Sequence, residues 1–236
     1  MRVVTWNMGF WQYRPHHDDA WTYLRQELRP DLALLQEVRE VPLVDDEARV
    51  YSVAWRGWGT AIVARGLRLD PIEIAVDLGG RKGYVVGARC HGDDGDSFVA
   101  VSVHAPILGG RVFPYLDRIF EAVEDATKGE RFIVGGDLNS ARLAETLWPG
   151  YGHGPFWERI ARGPFVDCYQ RFHAEERRTV FHPRGTSPLQ DDHLFMSRDL
   201  VPGLRSCEVV EDVVTRRVSD HVPLFAVVES APNAGR

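Results

Sequence analysis

The sequence predicts an α/β fold: a two-sheet sandwich flanked by helices, built as one domain. Short apolar runs rich in Val, Ile and Phe, each stopped by a polar residue, read as strands buried on both faces. A strand–helix–strand order opens the chain and recurs in the second half, without enough identity between the halves to call a repeat. No Pro/Gly/Ser linker, low-complexity tract or long run of one charge divides the 236 residues, so 1–230 read as a single domain and 231–236 as a disordered tail. With 44% apolar and 26% charged residues, the composition is that of a soluble globular protein with an ample core.

The first strand runs from Val3 to Asn7. A helix is expected from Asp18 to Leu28, because Asp18 and Asp19 suit its start and Pro30 its end. A strand from Leu32 to Gln36 follows. Tyr51 to Trp55, Thr60 to Ala64, Ile72 to Val76 and Tyr84 to Cys90 are further strands, punctuated by Gly57, Gly59, Gly79-Gly80 and Gly92 through Gly95. The second half reads strand (Phe98 to Val103), helix (Val112 to Ala126), strand (Arg131 to Val134). Tyr115, Ile119, Ala122 and Val123 recur at helical spacing and supply that helix's apolar face. A final apolar run extends from Val222 to Val228.

The three cysteines, Cys90, Cys168 and Cys207, are few, odd in number and widely spaced, which favours a reducing cytoplasm over a disulfide framework or a zinc site. The chain opens directly into a strand-like segment and contains no run of ~18 apolar residues, so neither secretion nor membrane spanning is expected. A formal charge of −6 argues against a protein that coats nucleic acid through a basic surface. It leaves room for a nuclease, since part of that charge would be metal ligands whose sign bound cations reverse.

The polar residues that stop the strands are chemically selective. Asn7, Glu37, His104, Asp137 with Asn139, Asp192, and the triplet Ser219-Asp220-His221 each lie at the end or edge of an apolar run. Strand ends carry such residues to one rim of a rigid core, where a precise site is best built. Carboxylates and amides in this number suit Mg²⁺ or Mn²⁺ better than zinc, and the imidazoles are then free for proton transfer or for hydrogen bonding to phosphate. Each piece also has a bland reading. Glu37 could be a surface acid, Gly135-Gly136-Asp137-Leu138-Asn139 a simple turn, His104 a satisfied core histidine, and one of Asp191 and Asp192 solvent-facing. Their joint order and spacing favour a site.

Thr5-Trp6-Asn7, Leu35-Gln36-Glu37-Val38, Val103-His104-Ala105-Pro106, Gly136-Asp137-Leu138-Asn139, Gln190 to Phe195 and Ser219-Asp220-His221 resemble, in order, the motifs of the endonuclease/exonuclease/phosphatase superfamily, the deoxyribonuclease I-like proteins. The resemblance spans Asn7 to His221 and is specific for the superfamily rather than for a substrate. It implies a four-layer α/β sandwich of two mainly antiparallel sheets, and hydrolysis of phosphate esters with Mg²⁺ or Mn²⁺. By that resemblance Glu37 is the principal metal carboxylate, Asn7 helps hold metal and phosphate, and Asp220 is a second metal-binding or site-shaping acid. Asp137 and Asn139 position the attacking water and the scissile phosphate. His221 is a general base or phosphate donor, with Asp192 fixing its tautomer. His104 matches a histidine of the deoxyribonuclease I and sphingomyelinase branches.

Arg39 and Arg81 fall where deoxyribonuclease I has a minor-groove arginine and a phosphate-contacting arginine. Arg56 and Trp58 replace a DNA-stacking tyrosine and the glutamate that orients the first histidine. His104 is thus without that acid, and two roles stay open for it: proton donor, or neutral donor to phosphate. The leading expectation is a monomeric phosphodiesterase acting on nucleic acid, DNA ahead of RNA, without stable membrane association. Arg39, Arg56 and Arg81 are its substrate-binding residues, and Trp58, Arg142, Tyr151, Trp157, Arg178 and Arg184 are further rim residues suited to strands or strand ends. The alternatives are a phosphatase or phosphodiesterase of phosphoinositide, sphingomyelin or another small phosphoester, for which the Trp148 to Trp157 segment could supply an apolar loop, and a non-catalytic binding module.

Overall fold

The computed structural model describes residues 1–40, 42–93, 95–107, 115–181, 188–212 and 215–229. Its strands are β1 (Arg2–Asn7), β2 (Leu32–Val38), β3 (Glu47–Val53), β4 (Gly59–Arg65), β5 (Arg68–Ile72) and β6 (Val85–His91). There follow β7 (Ser97–His104), β8 (Phe132–Asp137), β9 (Phe165–Asp167), β10 (Asp192–Ser197), β11 (Leu204–Val209) and β12 (Leu224–Val228). The helices are α1 (His17–Tyr23), α2 (Tyr115–Ala126), α3 (Arg142–Leu147), α4 (His153–Arg162) and α5 (Thr215–Val218).

The strands form two 6-stranded sheets, ordered β11-β12-β1-β2-β4-β3 and β5-β6-β7-β8-β10-β9. Each has one parallel pair at its centre, β1 with β2 and β7 with β8, and antiparallel neighbours elsewhere. The parallel pairs are the recurring strand–helix–strand units of the sequence, joined through α1 and through the segment containing α2. Parallel neighbours need such a crossover, because a hairpin cannot join them. The sheets are therefore mixed but mainly antiparallel.

Both faces of each central strand are covered, which explains the continuous apolar runs. Val3, Leu34 and Ile62 of the first sheet meet Ala88, Ala100, Ile133 and Leu194 of the second between the layers. Val4, Trp6, Ala33 and Leu35 point outward onto Trp21, Leu24 and Leu28. On the far side Val99, Val101 and Val134 pack against Ile119, Phe120, Phe156 and Ile160. Helices, sheet, sheet and helices make the four layers.

Several boundaries differ from expectation. Gly135 and Gly136 belong to strand β8, not to a turn. A Cβ at Gly135 would lie 2.9–3.0 Å from Leu194, Leu34 and Thr5, so close approach of the sheets demands glycine there, and one at Gly136 would lie only 1.7 Å from the carbonyl oxygen of Val103 on the neighbouring strand. β3 ends at Val53, and Trp55 to Gly57 form the tip between β3 and β4 instead. β5 ends at Ile72, where the run to Val76 was expected; Ile72 and Ile74 fill the space above Gly87. The first helix continues past α1 as a π turn, Leu24–Leu28, and stops at Arg29 in left-handed backbone. α3, α4, β9 and β11 were not foreseen. The expected helix residues 112–114 and the tail 231–236 lie outside the described residues.

Candidate active site

Strand register assembles the site. Asp137 ends β8 between two neighbours, with His104 of β7 and Asp192 of β10 as its Cα partners. Asp137 shares the inner face of its sheet with Ile133 and Gly135. Asn7, ending β1 of the other sheet, reaches across, and its Nδ2 donates to Asp137 Oδ2 at 2.9 Å. Its Oδ1 accepts the Gly9 amide at 3.0 Å, which fixes the amide's orientation. Beneath this contact Gln36 Nε2 donates to Ser102 Oγ (2.9 Å), and Ser102 Oγ donates to the Leu35 carbonyl (3.0 Å), tying the sheets at the catalytic end.

His221 precedes β12 and is held from several sides. Its amide donates to Ser219 Oγ at 3.0 Å, and its carbonyl accepts Trp6 Nε1 at 2.9 Å. Its Nδ1 faces Asp192 Oδ2 at 2.8 Å, leaving Nε2 at 3.8 Å from Asp137 Oδ2. Burial lowers the imidazole's affinity for a proton, but Asp192 and Asp137 outweigh it and hold His221 well above the ordinary histidine range. Burial raises Asp192, against the pull of His221. Thr179 secures both partners: its Oγ1 accepts the amides of Asp191 (3.1 Å) and Asp192 (3.2 Å), and its carbonyl accepts the Val222 amide (2.9 Å).

Glu37 and Asn139 both take left-handed backbone, with φ of 48°. Glu37 sits where the β2–β4 register shifts between Leu35 and Val38, a bulge that re-aims its side chain toward the rim. Its Oε1 lies 3.7 Å from His104 Nε2, and Asp137 Oδ2 is also 3.7 Å from that nitrogen. Asn139 donates its amide N–H to Asp137 Oδ1 (2.9 Å) and its Nδ2 to the Ala105 carbonyl (2.8 Å). Asn tolerates this conformation because its side chain can bond locally. The His104 ring packs 5.3 Å from Trp58 and 5.5 Å from Tyr84, and its buried Nδ1 has no hydrogen-bond partner among the described residues. An aromatic ring thus stands beside the nitrogen that an acid would orient.

The structure brings Asn7, Glu37, His104, Asp137, Asn139, Asp192 and His221 to one rim. Asp220 is buried beside them, its Oδ1 facing the space above Gly9. Among the described residues, Asp137, Asp192 and His221 offer ligand atoms within 4.8 Å of one another and could hold a metal ion. The carboxylate and amide oxygens of the rim fit a hard divalent cation, and Asp191 Oδ1 and Asp192 Oδ1 are buried without partners among the described residues.

The rim arginines divide. Arg81 donates to the Leu78 carbonyl at 3.1 Å, and its charge opposes that of Glu37 on the Tyr84 phenol, whose pKa burial raises. Arg39 lies 3.4 Å from Asp18; Glu40, its neighbour, pairs instead with Arg49 at 2.8 Å. Arg56 is at the β3–β4 tip, over the Trp55 ring. Arg142 and Trp157 are structural: Trp157 is buried, Arg142 stacks on it at 4.3 Å and reaches Asp167 at 3.2 Å. Within the Trp148 to Trp157 segment, residues 153–157 belong to α4 with Phe156 and Trp157 buried, while Trp148 and Tyr151 before it are exposed. Arg178 lies over Phe181, and Arg184 is outside the described residues.

Sequence reasoning missed Asp191, Thr179 and His193. Neither acid of the Asp191-Asp192 pair is exposed: Asp191 is pushed up to about 7 by burial and by Asp137. The doublet itself was the available signal. His193 is fully buried, its Nε2 facing the carbonyls of Ser140 (2.9 Å) and Gln190 (2.7 Å), which makes it a structural residue. No local pattern announces Thr179.

The family model for the Endonuclease/Exonuclease/phosphatase family matches residues 4–221. None of the curated proteins matches the sequence. Among solved structures the fold is similar to a Neisseria 3′ phosphatase, NExo, bound to product DNA hairpin, with 19% identity, TM-score 0.74, 98% of this chain and 100% of that one covered. It is also similar to the AP endonuclease LMAP of Leishmania major, with 18% identity, TM-score 0.77 and 98% and 88% covered. The human Nocturnin catalytic domain aligns at 15% identity and TM-score 0.70, over 96% and 93%.

Proposed function

The chain belongs to the Endonuclease/Exonuclease/phosphatase family, and from that premise we propose that it is a Mg²⁺- or Mn²⁺-dependent phosphodiesterase acting on nucleic acid, DNA first. The observation that carries the reading is the buried Asp192–His221 pair at 2.8 Å, aimed at Asp137 on the rim where both sheets end. Its support on the substrate side is the likeness to a phosphatase bound to product DNA and to an AP endonuclease.

In this mechanism Asp192 orients the His221 ring by accepting a hydrogen bond from Nδ1–H, so that Nε2 faces the scissile phosphate. The flanking carboxylates favour the charged ring, which suits donation to phosphate oxygen. Asp137 and Asn139, locked together by the amide bond at 2.9 Å, orient the water and the phosphate. His104 approaches from the opposite side of Asp137 as a second donor. Glu37, Asn7 and Asp220 would hold the cation, with Asp137 as a shared neighbour. When bound, the cation neutralises the carboxylates and polarises a phosphate oxygen. Three free, buried cysteines support the cytoplasm as its place of action.

The test is a cleavage panel of supercoiled plasmid, linear duplex, single-stranded DNA, RNA and inositol phosphates, with Mg²⁺, Mn²⁺ or EDTA. Metal-dependent cleavage of DNA is expected, with nicked circles reporting endonuclease action and end-only attack an exonuclease. Turnover of inositol phosphates alone would replace the nuclease by a small-phosphoester hydrolase.

A further inference from the structure

The tip between β3 and β4 carries Trp55, at 73% exposure the most exposed large apolar side chain among the described residues. The Arg56 guanidinium lies 3.9 Å over that ring and 5.2 Å from Trp11. Arg14 continues the row, 4.8 Å over Trp11 and 5.2 Å over Phe10, and Arg39 follows at 5.7 Å from Phe10. Rings and guanidiniums therefore alternate from the exposed tip to the foot of the site, where the Phe10 amide donates to the Glu37 carbonyl at 3.0 Å.

The row is built rather than incidental. Ala54 donates to the Trp58 carbonyl across the tip, and Arg56 and Gly57 both take positive φ, 66° and 80°, which points the turn outward. Holding a non-glycine residue there is strained, a cost tolerated where the surroundings over-determine the backbone. They do so here. A Cβ at Gly83 would fall 2.2 Å from the Ala54 nitrogen, so the neighbouring loop is pressed against the tip. Phe10, Ala54 and Trp58 form one apolar cluster with Tyr84, and Trp58 and Tyr84 are the rings beside His104.

We propose that this row is a stacking ledge for unpaired bases, so that the enzyme acts on single-stranded or frayed nucleic acid in preference to intact duplex. The inference rests on the nucleic-acid reading above and deepens it. The exposed Trp55 ring, backed by half-buried Trp11 and buried Phe10, offers a planar face to any unpaired base, and the guanidiniums along the row meet the backbone phosphates, whereas the bases of intact duplex are already stacked on one another. A lipid surface fits less well, because burying the rings would desolvate the guanidiniums lying across them.

The test uses the full chain in EDTA with oligonucleotides carrying 2-aminopurine, whose fluorescence is quenched on stacking. For Trp55→Ala, affinity for single strands should fall about tenfold and the quench should vanish, while Trp55→Phe restores most of both. Binding of blunt duplex and metal-dependent hydrolysis of bis(p-nitrophenyl) phosphate, too small to reach the tip, should stay unchanged. Equal losses for single strand and duplex, or no loss at all, overturn the ledge while leaving the nuclease reading intact. A wild-type protein that neither binds nor cleaves nucleic acid overturns both. Trp55-dependent sedimentation with phosphatidylserine vesicles, without any effect on oligonucleotides, reassigns the tip to membranes.

Discussion

Two imidazoles face the same carboxylate from opposite sides, and their surroundings could hardly differ more. His221 has Nδ1 on a buried acid at 2.8 Å and a backbone pinned by Ser219 and Trp6. His104 has Nδ1 buried with no partner among the described residues, and its ring is held by Trp58 and Tyr84. One ring is oriented by charge, the other by shape. A buried carboxylate stabilises the His221 imidazole as a cation, whereas the aromatic rings fix the orientation of the His104 ring by packing. The two sides of Asp137 are thus suited to different work: charge stabilisation by His221, hydrogen bonding by His104.

Glu37→Gln cuts through both sides and should have the largest effect, loss of nearly all turnover with the melting temperature held. Normal turnover and metal affinity in the purified variant would remove Glu37 from the site. Asp192→Asn strikes the charged side alone: turnover should fall ~10²–10⁴-fold, with a smaller change in substrate affinity. Were metal binding lost with the pH profile unchanged, Asp192 would be a ligand and not an orienting acid. For His104→Asn, which keeps a hydrogen-bond donor, a loss of only about tenfold is expected; a loss matching Asp192→Asn would erase the contrast between the two rings.

Asp191 tests the electrostatics without touching either ring. Its folded pKa of about 7 exceeds the ordinary carboxylate value of ~3.9, so the folded state binds the proton more tightly than the unfolded state does. Its contribution is fully present below pH ~4 and is lost as pH rises through about 7. Asp191→Asn should therefore stabilise the metal-free protein progressively from pH 5 to 8, by up to a few kcal/mol. Melting curves at both pH values that shift by equal amounts would contradict this. The smallest effect belongs to the rim: Arg39→Ala and Arg81→Ala should each lower the salt-dependence slope of nucleic-acid binding by about 0.9, with little change in melting temperature.

Much of this contrast was legible beforehand. Strand ends announced Asn7, Glu37, His104, Asp137, Asp192 and His221, because runs buried on both faces leave polar residues only at the rim. The substitution of Trp58 for an orienting acid was also readable in the chain. What escaped was set by distant pairing. Thr179 matters because it lies between Leu189 and Val222, to which it is hydrogen-bonded, and no spacing within its own segment encodes that. The glycines before Asp137 looked like a turn, since what presses on them is distant in sequence: Thr5 and Leu34 on Gly135, and the Val103 backbone on Gly136. Trp157 looked like a surface ring because the His193–Asp167–Arg142 cluster that buries it is assembled from three separate segments.

The last strand has a consequence for the order in which the protein is made. β12 lies between β11 and β1, its Val228 carbonyl accepts the Met1 ammonium at 2.6 Å, and His221 immediately precedes it. A nascent chain ending before Val218 would carry Glu37, Asp137 and Asp192 but neither Asp220, nor the imidazole that Asp192 braces, nor the strand that joins β11 to the first sheet. Synthesis thus delivers Glu37, Asp137 and Asp192 before the His221 imidazole, and the Asp192–His221 pair closes only when β12 has entered between β11 and β1.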